Sequence, residues 1–180
     1  ERRFRSILGA INLHRLEFDM SLENLSEAES LAPNDPDIIL QHADTLSHCG
    51  ENDLAWSKFQ KATEINPMPP DYYWWCGASI AFGCGDYQSV INIAGRATQE
   101  GEVASLLAAT HALLGNRAEA AHHYRQVVEL SGLGEDWRKN WSNPQRPGTS
   151  ADYFEERFRE GLSTAKTYYG GKDAGARYKS

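Results

Sequence analysis

The chain has 180 residues, 41% hydrophobic and 24% charged, with a formal net charge of −7. No run approaches the ~18 consecutive apolar residues of a membrane-spanning helix, and Lys and Arg form no cluster able to displace the counterions of a nucleic acid, so membrane insertion and nucleic-acid binding by this segment are excluded. Cys49, Cys76 and Cys84 contain no Cys-x-x-Cys pair and cannot all pair within one chain, which predicts free thiols and a cytoplasmic setting. The start at Glu1-Arg2-Arg3-Phe4, with no initiator Met and no signal-type apolar core, predicts a piece of a longer protein.

In chain order, Ile7, Leu8, Ile11 and His14 recur at helical spacing, with Gly9 small enough for close approach. Glu17-Phe18-Asp19 makes a turn, and Leu22, Leu25, Ala28 and Leu31 form the stripe of a second helix that also carries Ser21. Asp35 caps a helix with Pro36 in its first turn, where a missing N–H costs nothing. Ile39, His42, Ala43 and Leu46 face inward on it. Gly50 ends this helix in a left-handed conformation, and Asn52 caps the next, whose stripe is Ala55, Phe59, Ala62 and Ile65. After Met68-Pro69-Pro70, Asp71 caps a helix with Trp74, Gly77, Ala78 and Ala81 inward. Gly85-Asp86-Tyr87 turns into a shortened helix carrying Val90 and Ile91 and ending near Thr98–Gly101. Leu106, Leu107, Ala108 and Leu114 lead to Gly115-Asn116, and Ala120, Tyr124, Val127 and Leu130 follow as the next stripe. Beyond Gly132, Trp137 and Trp141 sit four apart, and Pro144 and Pro147 forbid a continuous helix. Thr149 and Asp152 make a capping box before a final helix to about Tyr168, with Phe154, Phe158, Leu162, Ala165 and Tyr169 as its stripe. Residues 170–180 read as a flexible tail.

Ala43, Gly50, Ala55, Phe59, Ala62 and Pro67 fall at intervals that resemble the tetratricopeptide repeat, a helix–turn–helix unit of about 34 residues. Pro33 and Pro67 stand one such period apart, and Gly85-Asp86-Tyr87 resembles the family's turn between helices. Small residues let two antiparallel helices cross closely, a bulky one fills the hole beside them, and proline stops the second helix. The expected fold is therefore all-α. It is a right-handed superhelix of about four hairpins (2–33, 36–67, 71–100 and 101–133) filling 1–133, then an extension over 134–169 with a packing helix.

The resemblance implies a concave groove, lined by the inner helix of each repeat, that binds a peptide, a helix or a partner domain. In that register the partner-binding residues are Leu40, Asp44 and His48, then Tyr72, Trp75, Ser79 and Phe82, then Glu102, Ser105 and Ala109. Members that grip a chaperone's C-terminal carboxylate use Lys, Arg and Asn where this chain has Ser6, Ala10 and Gln41, so that clamp is not expected. The function implied is a protein-interaction scaffold whose partner is a protein or peptide, or another copy of the chain, with no cofactor, no metal and no catalytic constellation. Trp137, Trp141 and the Phe154-x-x-x-Phe158-x-x-Gly161-Leu162 pattern look like the end of bacterial regulators that carry such repeats, namely class III adenylate cyclases and winged-helix transcription regulators. That likeness implies the alternative of a regulatory or oligomerisation domain in a larger signalling protein.

Several residues carry two readings. Trp74 belongs to the core, whereas Trp75 either meets a ligand or packs on a neighbouring element. Phe154, Phe158 and Leu162 either cap the last helix of the array or enter the groove themselves. His42 and His48, six apart, and the adjacent His122 and His123 lack the i, i+4 spacing that lets two imidazoles share an ion, and read as surface or packed groups. Cys76 and Cys84 have no neighbouring base, and Glu155-Glu156 is a solvated face. Gly83-Cys84-Gly85 follows no strand and closes a hairpin rather than cradling a phosphate. Asn24-Leu25-Ser26 and Asn140-Trp141-Ser142 match the glycosylation acceptor pattern, and both read as accidental in a cytosolic chain.

Overall fold

The computed structural model describes residues 1–98, 100–130 and 145–171, the side chains of 100–102 excepted. Four hairpins follow one another: α1 (Arg2–His14) with α2 (Phe18–Leu31), α3 (Pro36–His48) with α4 (Asn52–Ile65), α5 (Tyr72–Gly83) with α6 (Tyr87–Ala94), and α7 (Glu100–Leu113) with α8 (Arg117–Leu130). A ninth helix, α9 (Ala151–Gly170), comes last. Among the described residues there is no strand, and no helix is long and apolar enough to cross a membrane. The odd-numbered helices α1, α3, α5 and α7 touch in series, whereas α2, α4 and α6 each join their own hairpin to the next. The odd helices are therefore the inner layer of a curved stack. Trp137, Trp141, the end of the fourth hairpin beyond Leu130 and the tail from 172 lie outside the described residues.

One turn recurs in every hairpin, and backbone hydrogen bonding explains it. A left-handed residue stands at Gly50 (φ 84°), Gly85 (φ 75°) and Gly115 (φ 78°). The N–H that follows each returns to a carbonyl five residues back: Glu51 to Leu46 (2.9 Å), Asp86 to Ala81 (3.0 Å) and Asn116 to His111 (2.8 Å). These are Schellman closures, which satisfy carbonyls orphaned at the helix end. The first hairpin makes the same closure, Glu17 N–H to the Asn12 carbonyl at 2.8 Å, around Leu16 at φ 63°. A branched side chain there carries left-handed strain of about 1 kcal/mol, so this repeat has the shared geometry without the glycine that would advertise it.

Tight seams join the layers. A Cβ on Gly9 would stand 2.5 Å from Leu25 Cγ, and one on Gly77 would stand 2.3 Å from Phe59 Cζ. Ser21 is fully buried. Its hydroxyl donates to the Gly9 carbonyl at 2.8 Å, so burial leaves no polar atom wanting. Asn24 is also buried, its amide donating to the Met20 carbonyl and its oxygen accepting from Arg5.

Helix α1 differs from the expected register. Ser6, Gly9, Asn12 and Leu13 are buried, while Phe4, Ile7 and Ile11 are 63%, 60% and 41% exposed. The seam at Leu25 accepts only a residue without a side chain, so Gly9 sets the rotation and turns the larger apolar residues outward. Helix α6 is shorter than expected and ends at Ala94. Asp71 stands at the N-cap position of α5, but its side chain makes no capping bond there. Its carboxylate instead accepts from the Thr98 N–H (2.9 Å) and hydroxyl (2.5 Å), folding the segment after α6 back onto the start of α5. Asn52 is not a cap: it donates to the Gly83 carbonyl at 2.9 Å, tying α4 to the end of α5.

Glu29 ties together α2, α3 and α4. Its Oε2 lies 2.8 Å from His42 Nδ1 and 2.7 Å from Lys58 Nζ. Burial pushes the Glu29 carboxyl up, but hydrogen bonds and charge from Lys58 and His42 outweigh it and hold the group below its ordinary value. Burial holds His42 below the usual imidazole value, against the opposing pull of its hydrogen bond and charge interaction with Glu29.

Candidate functional site: the concave trough

The trough is shaped by the helix that closes it. Ahead of α9, the Arg146 N–H donates to the His48 carbonyl (2.9 Å), and its guanidinium stands 2.9 Å from Asp19. The Ser150 hydroxyl donates to the Gly50 carbonyl. These bonds pin the start of α9 to the turn of the second hairpin. Phe154 and Phe158 then meet Phe82 of α5 edge-on, with centroids 4.9 and 6.0 Å apart. Gly161 lies directly on α7, where a Cβ would stand 2.6 Å from the Ala109 carbonyl oxygen. Farther on, Tyr169 packs on Tyr124 of α8, and the Arg117 guanidinium lies over Tyr168. Capping and groove entry, alternatives from sequence, both occur: the first half of α9 sits on inner helices and the second half covers α8.

What α9 leaves open is a cavity of about 450 Å³. All four inner helices reach it at helical spacing, which places each set on one face. They supply Ala10, Leu13 and His14 from α1, then Gln41, Asp44, Thr45 and His48 from α3. Trp75, Cys76 and Ser79 of α5 and Val103, Ser105 and Leu106 of α7 complete them, with Phe154 and Phe158 as the far wall.

Of the ten residues assigned to the groove from sequence, Asp44, His48, Trp75, Ser79 and Ser105 line this cavity. Leu40, Phe82 and Ala109 are withdrawn into the core, each 1% exposed or less. Phe82 is covered by Phe154 and Phe158, Ala109 by Gly161, and Leu40 belongs to the core shared by the second, third and fourth hairpins. Tyr72 stands at the start of α5, and its hydroxyl and that of Tyr73 both donate to Asp37 Oδ1, at 2.5 and 2.8 Å. The side chain of Glu102 lies outside the described residues.

The expected core position of Trp74 holds in part: Trp74 packs against the core but is half-buried, beneath the Arg96 guanidinium 5.0 Å from its ring centroid, and Tyr73 is the fully buried ring. The register Tyr73, Cys76, Gly77 and Ile80 faces the core because Gly77 must meet Phe59. The Tyr73 hydroxyl can be buried there because Asp37 receives it. Sequence reading did not assign Leu13, His14, Thr45, Cys76, Val103 or Leu106 to the groove, and it named Ala10 and Gln41 only as positions of an absent clamp. Groove entry by Phe154 and Phe158 was one of the two seats read from sequence, and both rings line the cavity, since a tethered helix announces its stripe but not its seat.

Asp44 and Cys76 sit together at the cavity wall. Burial, followed by the Asp44 charge and a hydrogen bond to its carboxylate, pushes the Cys76 thiol far above its ordinary value, so it is a donor and not a nucleophile. His48 Nε2 lies 3.7 Å from Asp44 Oδ2, beyond hydrogen-bonding distance. Its Nδ1 lies 3.1 Å from the Gln145 amide, so the strap ahead of α9 also fixes this ring.

Among solved structures the chain is similar to the MamA protein, a TPR-like protein, at 14% identity and a TM-score of 0.60 over 92% of both chains. The fold is a tetratricopeptide-like superhelix. No family model matches the sequence, and no curated protein matches it. At such low identity the TPR-like likeness is one of fold.

Proposed function

We propose that the chain is a protein-interaction module that receives a peptide from a partner in the trough between the inner helices and the Phe154–Phe158 wall. The observation that carries this reading is the cavity itself, reached by all four inner helices, with Trp75 44% exposed at its edge. A volume of about 450 Å³ is that of a small-ligand cleft, room for a few anchor side chains and not for a whole helix. A TPR-like fold and three free thiols, two of them buried, are in keeping with a scaffold in a reducing, cytoplasmic compartment. Half-exposed tryptophans are the usual anchors of such surfaces. Trp75→Ala should therefore weaken binding of peptides selected on the intact chain from a random dodecapeptide library by about 2 kcal/mol. Circular dichroism should show helicity retained. Unchanged titration affinity would remove both Trp75 and the trough from the reading.

A second reading, the regulatory or oligomerisation domain of a larger bacterial signalling protein, draws on the apolar stripe that α1 turns outward at Phe4, Ile7 and Ile11. Such a stripe on an edge helix favours docking against another copy or a neighbouring domain. Light scattering on the purified chain should then give a mass that is a multiple of one chain. A single-chain mass at every concentration would discard self-association.

A further inference from the structure

We propose that the trough recognises one cationic side chain, a Lys or Arg carried among apolar residues of the partner peptide, with Asp44 as its counter-ion and the Trp75 ring as its platform. The inference rests on the interaction-module reading above and adds the chemistry of the anchor. Among the described residues lining the cavity, Asp44 is the sole carboxylate, and none is a Lys or Arg. Its side chain is 31% accessible, and its nearest ion-pair partner, His48, stands 3.7 Å away. The carboxylate thus keeps acceptor capacity facing the cavity, while the Cys76 thiol fixes it from the buried side.

The remaining walls suit the same ligand. Leu13, Leu106 and Phe158 offer apolar surface for the methylene stem that Lys and Arg carry behind their charge. Trp75 lines the same cavity and is 44% exposed, and cations lie favourably over indole within about 6 Å of the centroid. The fold uses this pairing elsewhere, with Arg96 over Trp74 at 5.0 Å and Arg117 over Tyr168 at 5.1 Å. An anionic anchor would meet Asp44 with no compensating cation. Ser6 and Gln41, two of the positions at which clamp-type repeats use Lys, Arg and Asn, bond to each other at 2.5 Å. The chain's net charge of −7 draws basic peptides from a distance as well.

The test uses the full chain and the same dodecapeptide library. Selected peptides should be enriched in a Lys or Arg flanked by apolar residues, and replacing that residue with Gln in synthetic peptides should weaken binding about tenfold or more. Asp44→Asn should produce the same loss and remove the salt dependence, while Asp44→Glu should retain part of the affinity. Peptides without a basic residue, or binding that Trp75→Ala weakens and Asp44→Asn does not, would overturn the cationic anchor and leave the interaction module standing. Failure to select any peptide sensitive to Trp75→Ala would overturn both.

Discussion

Phe82→Ala should lower the stability of the chain by about 3–5 kcal/mol. The ring is fully buried and is shared by three elements, with centroids 5.4 Å from Tyr87, 4.9 Å from Phe154 and 6.0 Å from Phe158. Truncation removes the transfer free energy of one phenyl group and opens a void bounded by α5, α6 and α9. Those walls cannot collapse together without unseating α9. The loss should therefore appear in denaturant unfolding and also as faster proteolysis in the strap ahead of α9. Phe82→Leu, which keeps most of the volume, should cost less than about 1.5 kcal/mol. A loss below about 1 kcal/mol for the alanine variant would mean that α9 is not held on the inner layer.

Gly161→Ala tests the same seat with a decisive sign. In an exposed helix interior this substitution stabilises by about 1 kcal/mol, because alanine has the higher helix propensity. Here the added methyl would stand 2.6 Å from the Ala109 carbonyl oxygen and 2.8 Å from its Cα. Both are backbone atoms and cannot rotate aside, so α9 must lift away from α7 along its length. Overpacking of that kind costs up to about 3 kcal/mol, for a net loss of about 2 kcal/mol. A rise in melting temperature would show that α9 does not lie on α7, and the trough would then lose its far wall.

The likeness to MamA is in fold, and it fits a chain whose repeat signals are uneven. Hairpin turns were legible wherever glycine marks them, at Gly50, Gly85 and Gly115. The first hairpin closes on the same hydrogen bond with Leu16, and composition alone does not reveal that. Stripes were legible as helices everywhere, but their rotation was not always so. In α1 the larger apolar residues recur at helical spacing, and the Gly9 seam turns Ile7 and Ile11 outward. In α5 two adjacent tryptophans drew attention from Tyr73, whose buried hydroxyl depends on a carboxylate in another helix.

Sequence by itself determined the helices, their pairing and the rough period, because these follow from local spacing of small, bulky and capping residues. It also placed five residues of the trough, since a face of a helix is set by its own periodicity. The seat of α9 was decided only by tertiary structure. Its apolar stripe suits both capping the array and entering the groove, and the choice of a seat that spans the two rests on Phe82, Ala109 and the strap bonds to His48 and Gly50. That choice buries Phe82 and Ala109 and leaves Asp44 and Trp75 accessible, because a surface exists only after the chain has finished covering itself.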